Sequence, residues 1–214
     1  MERFTLAENT FVLPTPGGVF HTFSNPSPSP VKQLIRSLLH KETSPLLSLE
    51  GLKQWTKLED ADQVVGLLNH AQGAKWVQGF DSPVNCPEGS IEGKVPGMLT
   101  KLSSQGKVLL ADSQGFYLSS AGFNHEVAEE LSALSADLAN IHERRSGLLL
   151  NNMGFHSSAW SVVDASGSSR LGFWPIYIGE LRFVLIIQGM PKFNQAIFVQ
   201  LVWMLNLRYS ANKA

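Results

Sequence analysis

Cysteine is nearly missing from this chain: Cys86 stands alone among 214 residues. One thiol excludes an internal disulfide framework and suits a reducing compartment. Charge is sparse as well, at 16% against 43% hydrophobic residues, which leaves ample material for a packed core and argues against disorder. The formal net charge of −1 supplies no electrostatic reason for nucleic acid or an anionic membrane to be the main partner. MERFTLAENT lacks the basic start and apolar run of a secretory signal. Long hydrophobic runs are absent too. AIFVQLVWMLNL (196–207) has twelve residues, short of the roughly 20 that a bilayer-spanning helix needs. A cytoplasmic protein with no membrane span is expected.

Signatures of chemistry are equally scarce. The six histidines (His21, His40, His70, His125, His142, His156) never fall three to five residues apart, so no zinc site is built from local pairs. Neither G-x-x-x-x-G-K-[ST] nor G-x-G-x-x-G occurs, and no G-x-S-x-G elbow is present. Cys86 sits in a Pro/Gly-rich stretch with no histidine beside it, which suits a small hydrophobe better than a nucleophile. Glu129–Glu130 and Glu143–Arg144–Arg145 read as the solvated face of a helix, with the arginines favouring its C-terminus. No catalytic residue, cofactor or metal ligand is expected.

What is present is a series of patterned elements. TFVLPTPGGVFHTF (10–23) sets two apolar runs around Pro-x-Pro-Gly-Gly and predicts a hairpin. Ser29 and Pro30 open a helix whose face carries Val31, Leu34, Ile35, Leu38 and Leu39. Ser48 caps a shorter helix with Leu49, Leu52 and Trp55. EDADQVVGLLNHAQ then gives a third, and AKWVQGF (74–80) a returning strand. Helix, short helix, helix and strand resemble a winged helix-turn-helix over roughly 50 residues. Such modules often place the third helix on DNA, yet residues 59–72 hold Glu59, Asp60 and Asp62 with no lysine or arginine. Residues 1–94 carry eight Lys and Arg against ten Asp and Glu, a net charge of −2. DNA affinity grows from phosphates neutralised by basic side chains, so no nucleic acid is favoured and a protein-contact or structural module is expected.

FDSPVNCPEGSIEGKVPG (80–97) gathers proline, glycine and serine and predicts the junction: a winged-helix-like domain at 1–82, a linker at 83–95 and a second domain at 96–214. MLTKLSSQ (98–105) predicts a short helix. KVLLADSQGFYLSSAG (107–122) predicts a strand–turn–strand, with Asp112 and Gly115 supplying the turn chemistry. Asn124 caps a helix over 125–144 with two stripes. Val127, Leu131, Leu134, Leu138 and Ile141 form the large one, expected on the sheet. Ala128, Ser132, Ala136 and Ala139 form the small one, expected to admit another helix. Three strands follow at 159–165, 170–178 and 181–188. Pro175 marks a bulge or an edge, and Pro191 opens a final helix.

The order helix, two strands, long helix, three strands, helix resembles the Roadblock/dynein light chain family over about 96–209, and VLLADSQGFYLSSAG is similar to that family's opening hairpin. The resemblance implies an α+β fold, a five-stranded antiparallel sheet sandwiched by helices. It also implies a non-enzymatic scaffold or regulatory adaptor that pairs with itself, with a Ras-like small GTPase as partner. The homodimer contact is expected at Ala128, Ser132, Ala136 and Ala139, so that Ala136→Arg would shift mass toward monomer. Phe198, Val202 and Trp203 lie off the last helix's main stripe and are expected to meet something beyond their own sheet: the N-terminal module, the other protomer or an outside partner. The alternatives are a winged-helix transcription regulator, opposed by the missing basic residues, and a small-molecule sensor, opposed by the apolar runs VVDA and FVLII.

Overall fold

The computed structural model describes residues 6–154 and 157–210. The chain forms two compact units. The first takes in the chain up to Thr22, Pro26–Glu88 and the stretch from Asn194 onward; the second takes in Phe23–Asn25 and Gly89–Phe193.

In the first unit, strand β1 (Phe11–Pro14) is followed by helix α1 (Pro16–Phe23), where a hairpin was the expectation. Pro16 at the first helical position explains the difference, together with the Thr15 hydroxyl, which accepts from Gly18 N at 3.1 Å. The Thr15 hydroxyl also donates to the Lys75 carbonyl at 2.7 Å. Helices α2 (Pro30–Leu38), α3 (Leu49–Thr56) and α4 (Ala61–Gly73) follow, capped by Ser29, Ser48 and Asp60. Strand β2 (Val77–Phe80) then pairs antiparallel with β1, Phe11 opposite Phe80 and Pro14 opposite Val77. The strand thus returns to the start of the chain. After it, among the described residues up to Ser90, only the isolated bridge Asn85–Thr43 continues pairing.

Part of the expected linker is helical in the second unit. Ser90 accepts from Gly93 N and opens α5 (Ile91–Lys101), which contains Pro96 and buries Val95, Met98 and Leu99. The turn-like residues had masked an apolar face at positions 95, 98 and 99. Strands β3 (Lys107–Asp112) and β4 (Tyr117–Ala121), helix α6 (His125–Gly147), a π-helical turn at Leu148–Asn152, and strands β5 (Trp160–Val163), β6 (Ser169–Ile178) and β7 (Leu181–Gln188) complete the unit. The five strands form one antiparallel sheet in the order β4-β3-β7-β6-β5. The protein is therefore α+β, as its sequence pattern implies.

Alternation sorts the sheet's side chains. Leu109, Ala111, Phe173, Val184 and Ile186 gather with Ala128 of α6 on one face. Val108, Leu110, Leu185 and Ile187 point the other way and are also buried. β7 is the central strand, buried on both faces, as its near-continuous apolar run predicts. β5 pairs with β6 only as far as Phe173, so β6 is itself the edge where Pro175 stands.

The final helix, α7 (Ala196–Tyr209), was assigned by sequence to the C-terminal domain; it belongs to the first unit. Trp203 Nε1 donates to the Lys41 carbonyl at 2.8 Å, and Asn206 Nδ2 donates to the Leu39 carbonyl at 3.0 Å. Phe198, Val202 and Trp203 are 1%, 0% and 1% exposed. A helix apolar around most of its circumference is a buried one.

Candidate functional site

Helix α6 carries the surface most suited to a partner. Asn124 Oδ1 accepts from Val127 N at 3.0 Å and starts the helix immediately after β4. Ser132 donates to the Ala128 carbonyl and Ser135 to the Ser132 carbonyl, both at 2.7 Å. With their hydroxyls satisfied on their own helix, these serines are buried without an orphaned polar group.

The two stripes of α6 lie the other way round from the expectation. Ala128 and Ser132 are fully buried and Ala139 nearly so, while Ala136 is half-buried. The small residues let the helix sit close against its own sheet and hairpin. The turn between β3 and β4 shows how close. Gly115, at φ +90°, would place a Cβ 3.2 Å from the Ala133 Cα and 3.5 Å from the Ala136 Cβ. Ala136 therefore meets the chain's own turn, and Ala136→Arg would disturb that contact before any between copies.

The large stripe divides: part of it faces outward. Val127, Leu134 and Ile141 are 38%, 41% and 42% exposed, while Leu131 and Leu138 pack at the rim of the sheet cluster. Leu148, Leu150 and Met153 extend the exposed apolar surface beyond the helix, and Val162 and Val163 expose it on edge strand β5. Trp160 ties that strand to the helix, its Nε1 donating to His142 Nδ1 at 3.2 Å. Arg182, buried beside Tyr177 on the neighbouring strand, pairs with Glu143. Glu143 is itself exposed, as a solvated helix face implies, and nothing in its spacing marks a partner 39 residues on.

Chemically competent groupings are few. Tyr117 Oη lies 2.8 Å from His125 Nδ1, and His125 Nε2 lies 3.4 Å from Glu129 Oε1. The order hydroxyl, imidazole, carboxylate is that of a proton relay, and only the i,i+4 spacing of His125 and Glu129 hints at it in sequence. Both side chains are more than 60% exposed, where water screens them. His21 stacks on Trp76, ring centroids 3.9 Å apart, with His70 edge-on to the same ring at 5.6 Å. Burial first, then the charges of Lys32 and His70, holds His21 below the ordinary histidine range. His156 lies outside the described residues. Among those described, no three His, Cys, Asp or Glu side chains converge to hold a metal, and no helix is long and apolar enough to cross a membrane.

Cys86 is buried, its N–H donating to the Glu42 carbonyl at 2.7 Å. Burial, then the Glu42 charge, pushes its thiol up to about 11. Only thiolate attacks an electrophile, so near neutral pH the native thiol should react roughly a hundredfold more slowly than in the denatured chain. Timed maleimide labelling with and without denaturant measures this. Equal rates would show that Cys86 is neither shielded nor shifted.

No protein-family model matches the sequence, and no curated protein matches it. Among solved structures, the chain is similar to the Roadblock/LC7 domain from Streptomyces avermitilis. Identity is 13% and the TM-score 0.36, over 52% of this chain and 89% of that one. It is likewise similar to Myxococcus xanthus MglB, at 16% identity and a TM-score of 0.36, over 55% of this chain and 84% of that one. Both likenesses are distant.

Proposed function

We propose that this protein is a non-catalytic scaffold or regulatory adaptor that pairs with a second copy through α6 and edge strand β5. The observation that carries this reading is the outward row Val127, Leu134 and Ile141, continued by Leu148 and accompanied by Val162 and Val163. Burying a large apolar side chain fully is worth about 1.5–3 kcal/mol. Residues already half-covered gain a fraction of that, so several must be covered together, as a stable interface requires. The small-residue contact first expected on α6 is replaced by this large-residue one. The proposed setting is cytoplasmic. A Ras-like small GTPase is the partner class that the Roadblock resemblance implies, and the dimer would be the platform presented to it.

Light scattering at micromolar concentration tests assembly: the unmodified protein should run as a dimer and Leu134→Glu as a monomer with its helical signal intact. A monomeric unmodified protein would rule the pairing out. Capture from native cytoplasm, scored for small GTPases against nucleic acid, tests the partner. Recovery of nucleic acid alone would favour the transcription-regulator reading instead.

A further inference from the structure

We infer that His142 and Trp160 form a proton-controlled latch between α6 and edge strand β5, closed while the imidazole is neutral and open once it takes up a proton. An indole nitrogen only donates, so His142 Nδ1, 3.2 Å from Trp160 Nε1, must accept with its lone pair. The ring therefore carries its hydrogen on Nε2 and is uncharged. The two rings meet edge to face at 88°, with centroids 6.1 Å apart. A second proton would go to Nδ1 itself. Two N–H groups would then point at each other, which breaks the bond. Donor and acceptor belong to one chain, so the latch stands whether or not two copies pair.

The surroundings confine the effect to this point. Among the described residues, the charged neighbours of His142 on α6 are Glu143, Arg144 and Arg145. Arg182 of β7 pairs with Glu143, and the Tyr177 phenol of β6 stands beside Arg182. Strand β5 and the π-helical turn contribute no charged side chain. Arg170 of β6 pairs with Asp164 at the far end of the β5–β6 hairpin. The carboxylate next to the ring is thus already engaged. The hairpin's far end stays shut in mild acid, because Asp164 Oδ1 accepts from the Ser166 hydroxyl at 2.6 Å and from the Ser166 and Ser168 N–H groups at 2.9 and 3.1 Å. The Ser166 hydroxyl foremost, then the Ser168 N–H, holds that carboxyl below the ordinary carboxylate range. Trp160 also packs on the sheet cluster and lies in register opposite Phe173. Acid therefore frees the indole N–H without detaching the strand. What changes is the local stability of β5, a four-residue strand paired on one side only.

Proton NMR of the full chain reads the latch directly. The chain has five tryptophans, and the indole N–H signal missing from Trp160→Phe is that of Trp160. From about pH 7.5 down to about pH 5.5 this signal should shift together with the His142 ring protons, at one shared midpoint. Corrected for the intrinsic effect of pH, the amides of β5 should exchange about two- to tenfold faster at the acid end, the loss expected of one hydrogen bond. His142→Gln has no proton to take up in this range, so its Trp160 signal and its β5 exchange should show no step. The Trp203 indole, held by the Lys41 carbonyl, should keep its position throughout and reports that the fold is intact. A Trp160 signal that stays put while His142 titrates overturns the latch. So does one that moves just as far in His142→Gln, or β5 exchange that shows no step in the unmodified chain.

Discussion

Trp203→Ser is expected to destabilise the first unit by about 3–5 kcal/mol, the range for deleting a large buried aromatic with incomplete relaxation around the cavity. Trp203 is 1% exposed and its indole N–H satisfies the Lys41 carbonyl, just beyond the end of α2. The serine leaves both an apolar void and the Lys41 carbonyl without its donor, and losing such a hydrogen bond costs about 0.5–1.5 kcal/mol by itself. Trp203→Phe separates the two effects. It keeps most of the apolar volume and loses only the donor, so it should fall near the smaller figure. Chemical denaturation with amide exchange over α2 and α7 measures both. If Trp203→Ser keeps native protection in α2, the indole is not the clamp that the geometry makes it.

The pair Gly17 and Gly18 offers the second large effect with a control beside it. A Cβ on Gly18 would stand 2.1 Å from the Trp76 carbonyl oxygen and 2.8 Å from its carbon, both backbone. Backbone cannot swing aside as a flexible side chain can, so α1 or β2 must move. Gly18→Ala should therefore cost about 3 kcal/mol, the upper end for overpacking. A Cβ on Gly17 meets only the Thr15 hydroxyl, at 3.7 Å. Gly17→Ala should be neutral or stabilising by about 0.5–1 kcal/mol, because alanine loses less chain entropy in a helix. Equal effects at the two positions would mean that α1 does not rest on Trp76.

These glycines also show where the sequence was hard to read. Pro-x-Pro-Gly-Gly signals a turn when only neighbours are considered. Pro16 at the first helical position and the Thr15 cap make it a helix instead, and glycine at 18 is required by the Trp76 backbone nearly sixty residues on. Local signals did well where the partner is local: Asn124 capping α6, Asp112 and Gly115 turning β3 into β4, and Ser29 and Ser48 opening their helices. Periodicity found both stripes of α6 but could not say which one faces the sheet, since each was apolar enough to be buried. Packing distance decided it. Gly115 stands close to the helix at Ala133 and Ala136, the alanine and serine face is the buried one, and Val127, Leu134 and Ile141 are left outside. The assignment of α7 failed for a related reason: the donors on Trp203 and Asn206 serve carbonyls 162 and 167 residues earlier.

That last separation bears on the order in which the protein can be made. Apart from Phe23–Asn25, the second unit is contained in one continuous stretch ending at Phe193, whereas the first lacks α7 until translation passes that point. A nascent chain can thus complete its later-starting unit first, while α2 waits on the ribosome with the carbonyls of Leu39 and Lys41 unserved. Closing so long a loop is slow relative to local pairing. The part of the molecule synthesised earliest should consequently be the last to become protease-resistant.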